Sequence, residues 1–141
     1  MTDADPGYDM QIERGKVREF ARATGSAAPE YLDRADPPIP VTFLRTDAFW
    51  RPKDAPSPMA GIKLNVARIL HGEQEYVFFG PPPRAGTTLT VKSRLESITE
   101  KEGKRGGTMR LIVTVEDFFD ESGRLVAQGR GTLIETGKAP S

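Results

Sequence analysis

The sequence of 141 residues has no cysteine and a single histidine, His71. A chain without cysteine has neither a disulfide framework nor thiolate chemistry, and one imidazole argues strongly against a histidine-based metal site. No stretch approaches the roughly 18 to 20 apolar residues that span a bilayer. The beginning, MTDADPGYDM, lacks the basic and apolar regions of a signal peptide. We therefore expect a cytoplasmic protein.

An excess of one charge is also missing, since 20 basic and 20 acidic side chains cancel and neither sign forms a long run. Proteins that bind nucleic acid or membrane surfaces usually carry a basic patch, so small molecules or other proteins are the expected partners. The length suits one domain with a real core. We expect a flexible N-terminus over residues 1–10, a domain over 11–136 and a flexible tail over 137–141.

The segment from 71 to 95 predicts two long antiparallel strands joined by a proline-rich corner. Residues 73–79 are rich in aromatic and branched side chains, and apolar residues between 89 and 95 recur with period two. Pairing must stop at residues 81–83, because three consecutive prolines donate no backbone hydrogen bond, while Gly86 allows the chain to turn back.

Apolar spacing predicts a helix over Glu13–Thr24, and Gly25 follows where a left-handed cap ends such a helix. Residues 25–40 and 51–61 are predicted loops because proline and small residues dominate them. The segment Val41–Trp50 is ambiguous, since its apolar spacing fits a helix whereas Val-Thr-Phe favours a strand.

Two further strands are predicted over Thr108–Phe119 and Leu125–Glu135, with a hairpin loop between them. On the last strand Ala127, Gly129 and Gly131 share one face, where small side chains would allow a helix or another backbone to approach closely. The fold class is therefore α+β, with four long antiparallel strands in a meander that forms a single curved sheet.

Several segments resemble the MaoC-like dehydratase family, N-terminal-domain branch, between Glu13 and Glu135. They are REFARATG, HGEQEYVFF, PPPRAGTTLTVKSRLESI and EKEGKRGGTMRLIVTVEDFFDESGRLVAQGRGTLI. The resemblance implies a single hot-dog domain, in which a curved antiparallel sheet wraps a central helix and pairs with a second hot-dog. It also implies (R)-specific hydration of enoyl thioesters, or the reverse dehydration, with coenzyme A or acyl carrier protein as substrate carrier and no other cofactor.

Active members of that family use an aspartate and a histidine in a Gly-Asp-x-Asn-Pro-x-His motif just after a helix. In register, this chain has Gly25 and Pro29, but Ser26 stands at the aspartate position and Tyr31 at the histidine position, and Ala28 replaces the asparagine. A tyrosine has an ordinary pKa of about 10, far from neutrality, so this pair is a poor water-activating dyad.

The resemblance therefore implies a non-catalytic, substrate-shaping subunit of a heteromeric enoyl-CoA hydratase in fatty-acid or steroid side-chain metabolism. Its partner would be a second hot-dog subunit with the intact aspartate and histidine, in a heterodimer or a dimer of heterodimers. Two alternatives stay open: a self-sufficient homodimeric hydratase with an atypical site, and a thioester-binding or thioesterase-like hot-dog protein.

The remaining candidates are weaker. His71 has the right ordinary pKa for proton transfer but no fixed carboxylate partner, so a structural role is favoured. Thr42, Phe43, Arg84 and Arg105 are candidates for substrate binding, because arginine suits the phosphates of coenzyme A and aromatic rings suit an acyl pocket. The same reasoning adds the following residues: Lys104, Arg110, Phe49, Trp50, Phe78 and Phe79.

Overall fold

The computed structural model describes residues 5–104 and 106–137. Within this part of the chain, five strands form one antiparallel sheet, and none of the helices is long and apolar enough to cross a membrane. The elements in chain order are β1 (Tyr8–Gln11), α1 (Arg14–Ala23), α2 (Pro29–Leu32), the central 3-10 helix (Phe43–Phe49), a second 3-10 helix (Val66–Arg68), β2 (Ile69–Phe78), β3 (Thr88–Glu102), β4 (Thr108–Phe119) and β5 (Leu125–Glu135).

The predicted first helix is confirmed as α1, one residue shorter at each end than expected. Val17 and Ala21 lie four positions apart and are fully buried, which places them on one face of the helix. Gly25 has a φ of 79°, the left-handed conformation expected after a helix end.

The ambiguous segment after the first loop forms the central 3-10 helix rather than a strand. The backbone N–H of Phe43 donates to the Pro40 carbonyl, and the Thr46 hydroxyl donates to the Phe43 carbonyl. Phe43 and Leu44 are fully buried. The Phe20 ring of α1 meets Phe43 edge to face with ring centroids 5.4 Å apart, so the two helices pack together.

The strand β1 corrects the expectation of a flexible segment through residue 10. Tyr8 and Met10 are buried, the residues between and after them are exposed, and the strand pairs with β3 through Tyr8 opposite Val91. Tyr8, Met10 and Ile12 alternate with polar residues, a period-two pattern that the polar composition of the N-terminus hid.

The expected pairing of the two strands around the proline corner is wrong. The strand order is β1-β3-β4-β5-β2, so β4 and β5 lie between β2 and β3. The predicted meander holds for β3, β4 and β5, and the bounds of β4 at Thr108–Phe119 and of β5 at Leu125–Glu135 match the prediction. The strand β2 then pairs with β5 at one edge of the sheet.

The proline corner pairs with the first loop instead of forming a tight hairpin. The backbone N–H of Ile39 donates to the Pro83 carbonyl, and that of Ala85 donates to the Pro37 carbonyl. Because the prolines cannot donate, residues 81–83 cannot close a hairpin ladder, and the chain crosses to the far side of the sheet before β3 begins.

The core lies between the curved sheet and the helices, as the resemblance predicted. Register shifts at Leu95/Ser97 and Phe118/Phe119 interrupt the ladders, and such bulges bend a sheet. The following residues are buried in the core cluster: Tyr8, Met10, Ile12, Val17, Ile39, Phe43, Leu44, Leu89, Val91, Phe118, Val126 and Ala127.

Candidate functional site

A cavity of about 330 Å³ lies between the central 3-10 helix, the loop after it and the face of β2, β4 and β5. Its wall includes apolar side chains, among them Leu44, Met59 and Phe118, and a group of polar and charged ones. Ligand pockets usually combine apolar walls with a few placed polar groups. The cavity is therefore the candidate functional site.

Asp47, on the central 3-10 helix, is the most deeply buried carboxylate of the cavity wall. Its side chain accepts a 2.6 Å hydrogen bond from the Tyr8 hydroxyl, and Ala48 donates from its backbone N–H. Burial nevertheless raises the pKa of Asp47, because the charged form loses its hydration. The same burial, together with the hydrogen bond to Asp47, raises the pKa of Tyr8.

Two arginines place positive charge near this carboxylate. Arg45 Nη1 lies 3.7 Å from Asp47 Oδ1, although the Arg45 side chain is mostly exposed. Arg51 Nη1 donates a 3.3 Å hydrogen bond to Ser93 Oγ, and its guanidinium lies 5.8 Å from the centre of the Tyr8 ring. Both cations favour the ionised form of Asp47, against the effect of burial.

Glu116 of β4 is a second buried carboxyl group on the cavity wall. Burial and the nearby charge of Asp47 raise its pKa. Among the described residues, its one hydrogen-bond donor is its own backbone N–H, and no cation pairs with it within ion-pair distance. The charges of Arg45 and Arg51 lower this pKa in part, against the effect of burial.

Gly129 of β5 makes room for both Glu116 and Tyr76. A Cβ atom at Gly129 would lie 3.1 Å from Tyr76 Cε1 and 3.5 Å from Glu116 Oε2. Burial raises the pKa of Tyr76 to about 12, so the phenol stays protonated and can donate a hydrogen bond. The small face predicted on β5 is therefore real, but side chains of β2 and β4 occupy it rather than a helix.

Neither residue at the predicted dyad positions lines the cavity. Ser26 accepts a 3.3 Å hydrogen bond from the backbone N–H of Ala28, and its own N–H donates to the Ala21 carbonyl, so it shapes the turn after α1. Tyr31 is half-buried against the core in α2. No hydrogen bond joins Ser26 and Tyr31 within the described part of the chain.

The candidate substrate-binding residues that the structure describes lie outside the cavity. Thr42 is exposed just before the central 3-10 helix, whereas Phe43 is fully buried in the core. Arg84 donates from Nη1 to the Asp36 carbonyl at 3.0 Å, which ties the proline corner to the first loop. Arg105 lies outside the described residues. Among the remaining cations, Arg110 forms a 2.8 Å ion pair with Glu135.

The aromatic candidates divide between core and surface, and none of them lines the cavity. Trp50 and Phe78 pack against the core, Phe79 is half-exposed, and 82 % of Phe49 is exposed. His71, by contrast, does line the cavity from the first residues of β2, where its side chain is exposed.

Local sequence patterns did not predict the residues that form this site. Tyr8, Asp47, Tyr76 and Glu116 come from four separated segments, and each carboxylate reads as an ordinary charged residue in its own segment. Among the described residues, no group of three histidine, aspartate or glutamate side chains could hold a metal ion.

The chain matches the family described as "FAS1-like, dehydratase domain region" over residues 4–129. A UPF0336 protein of Parafrankia sp. (strain EAN1pec) is 33% identical over 139 residues, which cover 93% of this chain and 87% of the relative.

Solved structures share the fold at lower identity. The HadBC (3R-hydroxyacyl-ACP dehydratase) complex from Mycobacterium tuberculosis contains a chain with 24% identity and a TM-score of 0.69, with 89% of each chain covered. A MaoC-like dehydratase from Phytophthora capsici has 22% identity and a TM-score of 0.65, with 98% of this chain and 48% of that chain covered. The chain therefore belongs to the FAS1-like dehydratase-region family, has UPF0336 homologues, and adopts the hot-dog fold of MaoC-like dehydratases.

Proposed function

We propose that this chain is the substrate-shaping subunit of a heteromeric (R)-specific enoyl-thioester hydratase, whose acid–base pair is supplied by a second hot-dog subunit. The observation that carries the proposal is the placement of Ser26 and Tyr31. Both lie away from the cavity, and Ser26 is engaged in a turn. A proton relay between water and an acyl thioester needs groups within hydrogen-bond reach of both.

The cavity supports the shaping role. It has apolar wall residues, a volume of about 330 Å³ and an opening to the surface, which suit part of an acyl chain. A subunit that holds the acyl chain of the substrate lowers the entropic cost of bringing the thioester to the catalytic groups of its partner.

The free edge of β2 supports the pairing role. Within the described residues, β2 pairs with β5 on one side and with no strand on the other. Val77 of β2 and Phe79 directly after it are 38% and 49% exposed. An exposed strand edge with apolar side chains is a ready site for pairing with another sheet, and HadBC, a structural relative, is a complex of hot-dog chains.

The test is reconstitution with a hot-dog subunit that carries an intact aspartate and histidine. Hydration of crotonyl-CoA is measured for each purified chain and for the mixture. We expect activity in the mixture at least about 100-fold above this chain alone, because general acid–base catalysis contributes roughly that factor or more. Full activity of this chain without a second polypeptide would refute the proposal.

One observation favours a self-sufficient hydratase as the second candidate. Asp47 and Glu116 are buried carboxyls with raised pKa values in one cavity, a pattern that also occurs in acid–base sites. Under this alternative, the isolated chain hydrates crotonyl-CoA and the Asp47→Asn variant loses that activity. Under the favoured proposal, the isolated chain has no activity to lose.

A further inference from the structure

The wall of the cavity is divided into an apolar and a polar part. Leu44, Pro58, Met59 and Phe118 provide the apolar part. The polar part comes from the sheet and from the central 3-10 helix, and consists of these residues: Asp47, Gln74, Tyr76, Thr114 and Glu116. A cavity that held only an alkyl chain would bury these polar groups without partners, which disfavours binding.

Of the two carboxyl groups in this polar part, Glu116 has fewer hydrogen-bond partners than Asp47. Its carboxyl lies over Gly129, close to the Tyr76 ring, and its own backbone N–H is its one hydrogen-bond donor among the described residues. Asp47 differs, because the Tyr8 hydroxyl and the Ala48 N–H already satisfy it. A neutral carboxyl can donate one hydrogen bond and accept another, so Glu116 can meet either a carbonyl or a hydroxyl oxygen.

The glycines of β5 keep this polar wall open. A Cβ at Gly131 would lie 3.3 Å from Gln74 Oε1 and 3.8 Å from Thr114 Oγ1, next to the space over Gly129. Side chains at these two positions would fill the floor between β2 and β4. The polar groups of both neighbouring strands therefore face the same space, and an oxygen atom placed there can meet more than one of them.

We propose that the cavity selects acyl thioesters that carry a hydroxyl or keto oxygen beyond the reacting carbons, and that Glu116 is the residue that recognises this oxygen. The inference rests on the proposed function, since it names the kind of acyl chain that the shaping subunit holds. Plain alkyl chains bind less tightly, because they displace water from Glu116 and return no hydrogen bond.

The test is calorimetric titration of the full chain with dodecanoyl-CoA and with a set of hydroxydodecanoyl-CoA isomers, in which the hydroxyl steps along the distal half of the acyl chain. We expect at least one isomer to bind about tenfold tighter than dodecanoyl-CoA, as a gained hydrogen bond to a buried acid allows. Glu116→Leu should abolish this preference, and Glu116→Gln should keep part of it because the amide still donates and accepts.

Glu100→Leu is the matched control, because it removes an exposed glutamate near the end of β3, away from the cavity, and should leave the preference unchanged.

Equal affinity for every thioester, as a water-filled polar wall would give, overturns the inference and leaves the shaping role intact. An unchanged preference in Glu116→Leu overturns it too. If no thioester binds and the partner subunit is fully active alone, the proposed function itself fails. The affinities of the wild-type protein for the different thioesters are compared without any variant, so poor folding of Glu116→Leu does not affect that comparison.

Discussion

The Tyr8 hydroxyl donates a 2.6 Å hydrogen bond to Asp47 Oδ2 across 39 positions of sequence. It joins the first strand of the sheet to the central 3-10 helix, and its acceptor Asp47 lines the cavity. The sequence analysis predicts that Tyr8 is flexible, and it does not predict a site role for Asp47. Together they fix one side of the candidate site.

Tyr8→Phe should lower the free energy of unfolding by about 1 to 3 kcal/mol, because it leaves the buried Asp47 carboxylate without its hydroxyl donor. Urea unfolding followed by circular dichroism measures the change. Tyr31→Phe is the control: its hydroxyl makes no side-chain hydrogen bond among the described residues, and stability should change by less than about 0.5 kcal/mol. Equal losses in both variants would contradict the role of the Tyr8 bond.

The free energy of unfolding should fall as pH rises above about 4, because the pKa values of Asp47 and Glu116 are raised in the folded state from 3.8 and 4.5. Between the ordinary and the raised pKa, the folded protein binds more protons than the unfolded chain, so a rise in pH favours unfolding. Asp120 and Glu135 have lowered pKa values, and their stabilising effect is lost only as pH falls below about 4.

Urea titrations between pH 4 and 8 on the wild type and on Asp47→Asn/Glu116→Gln measure this effect, since this range begins near the ordinary pKa values of the two carboxyls and extends above them. The double variant should show a flatter decline, because its amides do not titrate. If the free energy of unfolding declines equally steeply with pH in both proteins, groups other than Asp47 and Glu116 cause the decline.

Gly129→Val should destabilise the fold by roughly 1 to 3 kcal/mol, because even a Cβ atom there would lie 3.1 Å from the Tyr76 ring and the valine methyls would crowd the cavity further. Thermal unfolding measures the loss. Gly131→Ala is the comparison, since its nearest contact is the movable end of the Gln74 side chain at 3.3 Å. A larger loss of stability from the change at Gly131 than from the change at Gly129 would show that the Tyr76 ring moves aside at little cost.

Val77→Asp/Phe79→Asp should prevent assembly with the proposed partner subunit while leaving this chain folded, because two charges at the end of β2 and just after it oppose strand pairing. Size-exclusion chromatography of the mixture measures the complex. Val41→Asp changes an apolar residue that is 68% exposed before the central 3-10 helix and should leave the complex intact. A stable complex of the double variant would show that assembly uses a surface other than the edge of β2.

His71→Ala should leave the hydration rate of the reconstituted complex within about twofold of the wild type, because in the proposed complex the partner supplies the acid–base pair and loss of a true general base costs about 100-fold or more. The rate of crotonyl-CoA hydration at saturating substrate measures it. His71 lines the cavity from an exposed position, so a small change in KM is compatible with this outcome. A hundredfold fall in rate would assign the imidazole to the chemistry.

Much of the fold followed from local patterns. The spacing of Val17 and Ala21 predicted α1, and the turn residues after Phe119 predicted the hairpin between β4 and β5. These elements depend on near neighbours in sequence, which is why periodicity and turn chemistry predicted them. The pairing of β2 with β5 depends on a crossover between distant segments, and local patterns carry no information on it.

The sequence by itself determined the bounds of β4 and β5 and, through its family resemblance, predicted the hot-dog fold with Ser26 and Tyr31 at the positions of an aspartate and a histidine. Only the tertiary structure decided that Asp47 and Glu116 lie on one cavity wall, since their segments meet through the curvature of the sheet. Burial also gave these carboxyls their raised pKa values, and burial depends on every element packed around a residue rather than on the residue itself.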